Sequence, residues 1–341
     1  MLIVITPGDP EGVGPEIVYK TLLARPTGIP RHARLLCIGA KEPFQRLGAR
    51  LVEVPGVGAS APLPRTRSDE ILFLSAPSAI GGRGQKSKQR FSLPGFQSGW
   101  SVETAARLVL GGVADAMVTG PISKERLQAG GYPYPGHTEM LASLCRKKQV
   151  TMMLANDQLR ISLVTTHLAL RDVSRAVTAR EITRAVRHTV DSLREWLGIR
   201  RPRVAICALN PHAGESGLFG NEEIRVIAPT IRKLQKHYGD QAILQGPFPA
   251  DTLFAKHVGA RPIDRADAVV CMYHDQGLIP VKLLDFPRTV NVSLGLPIVR
   301  TSVDHGVAFD IAGSGKADPS SFQSALRLAC EIASVRKETR K

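Results

Sequence analysis

Three of the nine histidines in this chain stand in the same setting. His167 follows the apolar run 161–164 and two threonines. His212 follows the run 204–209 and Asn210-Pro211. His274 follows the run 268–272 and Tyr273. A short apolar run closed by a polar cluster is the pattern of a buried strand and the loop after it. In open α/β sheets, ligands sit outside the carboxyl ends of the strands. If these three strands are parallel neighbours, three imidazoles meet at one edge. Three imidazoles with an open coordination position make a catalytic divalent-metal site, and Asp275 stands beside His274 to orient its ring. The competing reading is three separate surface or capping histidines. His32, His188, His237 and His257 lie among basic or polar residues and read as solvated.

The stretch after His274 adds cations and an amide. Tyr273-His274-Asp275-Gln276-Gly277 reads as a polar cluster with a glycine for the turn. Lys282 lies in the apolar run 278–284, where a lysine either extends its ammonium to water or is held near an anion. Asn291 follows. Arg300 comes directly after Ile298-Val299, a position from which a guanidinium can fork onto a phosphate or carboxylate. Gly136-His137-Thr138-Glu139 reads as a turn and helix start, either a seat for phosphate or a plain cap. Near the N-terminus, strand 2–6 runs into Gly8-Asp9-Pro10-Glu11-Gly12-Val13-Gly14-Pro15-Glu16 and a helix. The glycines invite a dinucleotide-binding reading. However, Ile17 fills the third glycine position, and no acidic residue follows a second strand at the expected distance, so the Rossmann fingerprint is missing.

The elements that must position these residues alternate along the chain. Strands are expected near 35–38, 71–74, 116–119, 152–155, 161–164, 204–209, 243–244 and 268–272. Helices are expected over 101–110, 180–196, 222–235 and 319–337, with Ser123 and Asp251 as candidate caps. Residues 56–96 read as loops around one strand. Strand–helix alternation argues an α/β fold with mostly parallel sheets, and 341 residues suffice for about two domains.

Composition narrows the function classes. No apolar run reaches the roughly 18 residues of a membrane span. The chain opens on a strand with no basic leader, so no signal peptide is expected. Five scattered cysteines with no C-x-x-C pair exclude a zinc ribbon and argue against a disulfide framework, which fits a cytoplasmic protein. The net charge is +15, with local density only at 83–90 and 336–341. Aromatics make up 5%, too few for base-stacking platforms. Attraction of phosphorylated or carboxylated substrates is the better use of that charge than nucleic-acid binding.

Taken together and in order, G-D-P-E-G-V-G-P-E, G-H-T-E, T-T-H, N-P-H-A-G-E, G-P-F-P-A-D-T, Y-H-D-Q-G-L-I-P-V-K and D-H-G-V-A-F-D-I-A-G-S-G-K-A-D-P resemble the 4-hydroxythreonine-4-phosphate dehydrogenases of vitamin B6 synthesis. The resemblance runs from residue 6 to about 321. It implies the isocitrate/isopropylmalate dehydrogenase-like fold: two α/β/α domains, 1–130 with 300–341 and 131–299, with the active site in the cleft between them. It implies a homodimer with a shared active site, and His167, His212 and His274 as ligands of one divalent metal (Zn, Mg or Co) drawn from both subunits. It implies His137, Thr138, Lys282, Asn291 and Arg300 as contacts of a small phosphorylated substrate, with Lys282 also catalytic. Asp304, His305, Gly306 and Asp310 would serve the adenosine end of NAD or NADP. Two stretches depart from the family pattern. Leu168-Ala169-Leu170-Arg171 stands where Ile-Pro-Leu-Lys is expected, and Gly313-Ser314-Gly315-Lys316 replaces Gly-Lys-Gly-Ile/Thr. The second departure leaves both NAD and NADP open.

The implied reaction is oxidation of 4-phosphooxy-L-threonine to 2-amino-3-oxo-4-phosphooxybutanoate, which decarboxylates to 3-amino-2-oxopropyl phosphate. The alternatives in the same fold are dehydrogenation of a 4-phosphorylated erythronate or threonate, or of a dihydrodiol. Metal-dependent phosphate hydrolysis and basic nucleic-acid binding are the more distant ones.

Overall fold

A computed structural model of the chain describes residues 1–58, 63–78, 92–261 and 264–339. The basic stretch 83–90 and much of the expected loop region 56–96 lie outside the described residues. The strands are, in chain order, β1 (Leu2–Thr6), β2 (Arg34–Gly39), β3 (Arg50–Glu53), β4 (Glu70–Ser75), β5 (Ala116–Thr119), β6 (Thr151–Ala155), β7 (Arg160–Leu163), β8 (Arg203–Cys207), β9 (Ile243–Phe248), β10 (Ala268–Cys271), β11 (Val290–Leu294) and β12 (Arg300–Val303). They fall into two compact units, Met1–Lys148 with Leu296–Ser334, and Gln149–Gly295 with Val335–Lys341. The first break comes later than residue 130 because helix His137–Leu144 packs against helix Leu93–Leu110 of the first unit.

The first unit carries strands in the order β3-β4-β2-β1-β5-β12, and its strand pairs are parallel. β12 is hidden from pattern reading because Arg300-Thr301-Ser302 is polar yet buried. Its polar groups are satisfied locally: Ser302 Oγ donates to Thr119 O at 2.9 Å, and Thr301 Oγ1 to Ala325 O at 2.8 Å. Ser123 caps helix Lys124–Ala129 as expected, its hydroxyl accepting from Arg126 N. Asp251 does not cap. Pro249 precedes helix Ala250–Gly259, and Asp251 lies within its first turn.

In the second unit the order is β11-β6-β7-β10-β8-β9. β7, β10, β8 and β9 run parallel to one another, while β6 is antiparallel to both its neighbours, β11 and β7. Successive residues of the parallel strands feed two different cores. Val204, Ile206, Ala268 and Val270 pack with helices Ala179–Leu197 and Ala228–Tyr238. Ala205, Cys207, Val269 and Cys271 pack with Leu278 and Val281 of helix His274–Asp285. A sheet buried on both faces reads as a continuous apolar run, which is why the sequence marks these strands plainly.

The glycine turn expected at 273–277 is not there. The helix begins at His274, and Gly277 is buried inside it. A Cβ on Gly277 would stand 2.9 Å from Ile161 Cδ1 and 3.0 Å from Cys271 Sγ. The glycine is required by helix-on-strand packing and not by a backbone reversal. Gly277→Val is therefore expected to overpack this contact and cost about 1–3 kcal/mol in urea unfolding. An unchanged unfolding midpoint would show that the helix moves away freely.

Candidate active site

β10 lies between β7 and β8, with Val269 opposite Ile161 and Val270 opposite Ile206. The three strands share one direction, so the loops bearing His167, His274 and His212 leave the same edge. Hydrogen bonds tie the strand ends together. Val164 N donates to Cys271 O at 2.9 Å, and Thr165 Oγ1 donates to Met272 O at 2.7 Å. The Gln276 side chain accepts from Met272 N and donates to Ala208 O, both at 2.7 Å. Gln276 thus fastens the β10 end to the β8 end, a role its place beside His274 and Asp275 did not reveal.

The His167 and His274 ring centroids are 5.5 Å apart. His274 Nδ1 is 2.7 Å from Asp275 Oδ1, a contact that orients the ring and does not engage Nε2. His212 and His167 are exposed; His274 is half-buried. The donor chemistry suits a divalent metal. Among the described residues, however, no group of three or more His, Cys, Asp or Glu side chains closes into a metal-holding cluster within one chain. The edge supplies two facing imidazoles and a third at the next strand end.

His212 enters on unusual backbone. From His212 to Ser216 every residue has positive φ (50°, 53°, 81°, 42° and 57°), a left-handed turn in which only Gly214 is glycine. Left-handed backbone costs an L-residue roughly 1–2 kcal/mol each. Such a run persists only where the surroundings over-determine it, and this is most common at functional sites.

Two of the expected substrate contacts, Arg300 and His137, lie close together in the first unit. Arg300 is 3% exposed, and its Nε and Nη2 lie 3.1 and 2.8 Å from Thr119 Oγ1. Burial pushes its pKa down to about 10. His137 and Thr138 open helix His137–Leu144, with Gly136 as the cap residue. His137 is half-buried as a residue, but its Nε2 is sealed from solvent without a hydrogen-bond partner. Burial, and after it the charge of Arg300, hold this imidazole well below its usual pKa. The His137 ring nitrogen is thus a buried polar atom left unsatisfied beside a buried guanidinium. Lys282 and Asn291 belong to the second unit. Lys282 Nζ lies 5.3 Å from the Phe286 ring centroid, and Asn291 pairs with Leu154 on β6. Neither unit by itself gathers all five expected substrate contacts.

The 304–317 loop rests on the first glycine turn. Val13 N donates to Val307 O at 2.9 Å. Buried Glu16 accepts from Ala317 N at 3.0 Å and Gly315 N at 3.3 Å, while Lys20 Nζ donates to Gly315 O and Ala317 O, both at 2.7 Å. Arg126 stacks 4.4 Å from the Phe309 ring centroid and pairs with Asp9 and Glu11. A cavity of about 280 Å³ opens here, lined by Glu11, Gly12, Arg46 and Gly313 among others. Of the residues expected to serve the cofactor, Asp304 is half-buried, His305 Nδ1 lies 2.9 Å from Gly306 O, and Gly306 and Asp310 are exposed. Glu16, Lys20 and Arg126 were not foreseen. The signal that could have found Glu16 and Lys20 is their place in and just after the first glycine motif; no motif marks Arg126.

Comparison with known proteins bears on this arrangement. The family model of the pyridoxal phosphate biosynthetic protein PdxA matches residues 84–329. A 4-hydroxythreonine-4-phosphate dehydrogenase of Geobacter metallireducens is 46% identical, covering 98% of this chain and 96% of its own. A relative in Bradyrhizobium diazoefficiens, provisionally named a D-threonate 4-phosphate dehydrogenase, is 41% identical over 97% of this chain and 96% of its own. The crystal structure of a 4-hydroxythreonine-4-phosphate dehydrogenase from Klebsiella pneumoniae superposes with a TM-score of 0.82 at 35% identity, covering 97% of this chain and 99% of that one. The α/β units and these relatives define an oxidoreductase of the dehydrogenase class, which implies a nicotinamide cofactor. The chain belongs to the PdxA family, the 4-hydroxythreonine-4-phosphate dehydrogenases.

The His137 environment has a consequence for pH. Its folded-state pKa is depressed, so the native protein does not take up the proton that the unfolded chain binds below about pH 6.5. Its contribution to stability is therefore constant above that pH and declines as the pH falls below it. In urea unfolding at pH 7.5 and 5.5, His137→Gln is expected to lose less stability on acidification than the parent. Equal losses would show that His137 protonates freely in the fold.

Proposed function

We propose that this protein oxidises the C3 alcohol of 4-phosphooxy-L-threonine with NAD or NADP, dependent on a divalent metal. The β-keto acid product then loses carbon dioxide to give 3-amino-2-oxopropyl phosphate for pyridoxal phosphate formation. The observation that carries this reading is the edge formed by β7, β10 and β8, where His167 and His274 stand 5.5 Å apart and His212 leaves the neighbouring strand. The names of the relatives support the substrate.

When bound, the metal would acidify the substrate alcohol and the nicotinamide would accept hydride from C3. His167, His212 and His274 would hold the metal (Zn, Mg or Co), with Asp275 fixing one ring. Arg300, His137 and Thr138 bind the anionic end of the substrate, the guanidinium already desolvated and fixed by Thr119. Lys282 and Asn291 make further substrate contacts, and Lys282 takes the hydroxyl proton. Asp304, His305, Gly306 and Asp310 hold the adenosine end of the cofactor. Orientation of this kind is worth several orders of magnitude in rate because the reacting groups meet without further loss of freedom.

Exposed apolar side chains support a second copy completing the site. Leu170 lies just past His167, and Leu218 and Phe219 just past His212. Ile279 and Leu283 occupy one face of the helix begun by His274, with Leu283 at 82% exposure, and Phe286 follows at its end. An apolar rim of this extent marks an interaction surface. A homodimer would cover it and bring together donors that one chain leaves apart. One relative's name points instead to D-threonate 4-phosphate. The same anion-binding residues and metal donors serve that acid equally, so the assay must include it.

The test is nicotinamide absorbance with 4-phosphooxy-L-threonine, Mg²⁺, Zn²⁺ or Co²⁺, and NAD or NADP in turn. Metal-dependent reduction abolished by chelator is expected. Reduction only with phosphorylated threonate or erythronate would move the substrate and keep the site, and silence with all of them would overturn the reading. His212→Ala is expected to abolish metal-dependent turnover with the fold intact. Lys282→Met should lower kcat about 10²-fold or more. Leu283→Glu should shift the protein to monomer in sedimentation and lose activity in parallel; an active monomer would refute the shared site.

A further inference from the structure

The left-handed turn at His212 is held by two adjacent carboxylates. Glu223 is 3% exposed. Its Oε1 accepts from Leu209 N at 2.8 Å and Asn210 N at 2.9 Å, and its Oε2 accepts from Asn210 Nδ2 at 2.9 Å. The same carboxylate packs against the middle of the turn: a Cβ on Gly214 would stand 2.8 Å from Glu223 Oε2 and 3.0 Å from Gly220 O. Glu223 is therefore bonded to the chain before His212, at 209–210, and lies against it after His212, at 214. Glu222 adds to these contacts. Its Oε2 accepts from Asn210 Nδ2 at 2.8 Å, and its Oε1 accepts from the Ser174 hydroxyl. Ser174 lies on helix Leu170–Ala176, which begins three residues after His167.

We propose that Glu222 and Glu223 are positioning residues that set His212 on its left-handed turn and fix that turn relative to the His167 segment. The proposal rests on the metal reading of His212 given above. Neither carboxylate is itself offered as a ligand, since their oxygens are occupied by Leu209, Asn210 and Ser174. An isolated turn of this handedness would relax to right-handed or extended backbone and carry the imidazole with it. The pair supplies the fixed donor–acceptor bonds that make relaxation unfavourable. Outer residues that orient metal ligands commonly change affinity 10–100-fold when removed.

The experiment is a Co²⁺ titration of the full chain, followed by visible absorption, for the parent, Glu223→Ala, Glu223→Gln, Gly214→Ala and His212→Ala. Melting temperature is recorded alongside, and kcat is measured against metal concentration. Glu223→Ala is expected to weaken Co²⁺ binding per folded site about tenfold or more, with kcat recovering at saturating metal. Gly214→Ala should do the same, because the added methyl displaces the carboxylate. Glu223→Gln should fall between, since its amide oxygen still accepts from the two backbone N–H groups. A purely structural role would lower the melting temperature and leave affinity per folded site unchanged, and that result overturns the proposal. Should Glu223→Ala fail to fold, Glu223→Gln and Gly214→Ala carry the same comparison. Undiminished Co²⁺ binding by His212→Ala would instead sink the metal reading and this proposal with it. Weakened binding in His212→Ala alone would sink only the positioning role.

Discussion

The second unit depends on one constraint: β10 runs parallel to both of its neighbours, β7 and β8. Parallel strands put all their carboxyl ends on one edge, so three loops that are far apart in sequence open side by side. Were β10 antiparallel, its His274 loop would leave the opposite edge. The same arrangement explains where chemistry can sit. Alternate residues of these strands feed apolar cores on both faces, so polar side chains are few along their length, Ser162 of β7 being a buried exception. Imidazoles, amides and carboxylates gather at the ends, where Thr165 and Gln276 lock the strand termini to one another.

Both units spend stability at the places proposed for function. In the first, the Arg300 guanidinium is buried with Thr119 Oγ1 among its partners, and the Nε2 of His137 is sealed without a partner. In the second, five consecutive residues adopt left-handed backbone. Each is unfavourable in isolation, by roughly 1–3 kcal/mol per strained residue or unsatisfied buried group. Each is also enclosed by fixed polar groups: Thr119 at Arg300, and Glu223 and Asn210 at the His212 turn. Rigid surroundings hold each of these groups in one geometry.

The first glycine turn has a different purpose from the one its composition suggests. A Cβ on Gly14 would stand 1.8 Å from Pro7 O, and one on Gly12 would stand 2.9 Å from Val307 O. These glycines permit close packing of the turn on itself and on the 304–317 loop. Glu16 and Lys20, one helical turn apart, then bind the backbone of that loop from both sides. A dinucleotide fingerprint fails here because the glycines approach protein backbone.

Local pattern was enough to reveal much of this protein. The apolar runs that became β7, β8 and β10, the shared setting of three histidines, the Ser123 cap and the family motifs are all properties of short stretches, because burial and turn chemistry act between near neighbours. The polar strand β12 escaped because its side chains are satisfied by Thr119 and Ala325 and not by apolar packing. The role of Gly277 was misread because a glycine needed for a neighbour 2.9 Å away looks the same in sequence as a glycine needed for a turn. Strand order, the 5.5 Å approach of His167 to His274, the handedness of the His212 turn and the grip of Glu223 on it were decided only by tertiary structure. These depend on which distant segments lie side by side, and that is settled by the packing of the whole unit, to which no single stretch holds the key.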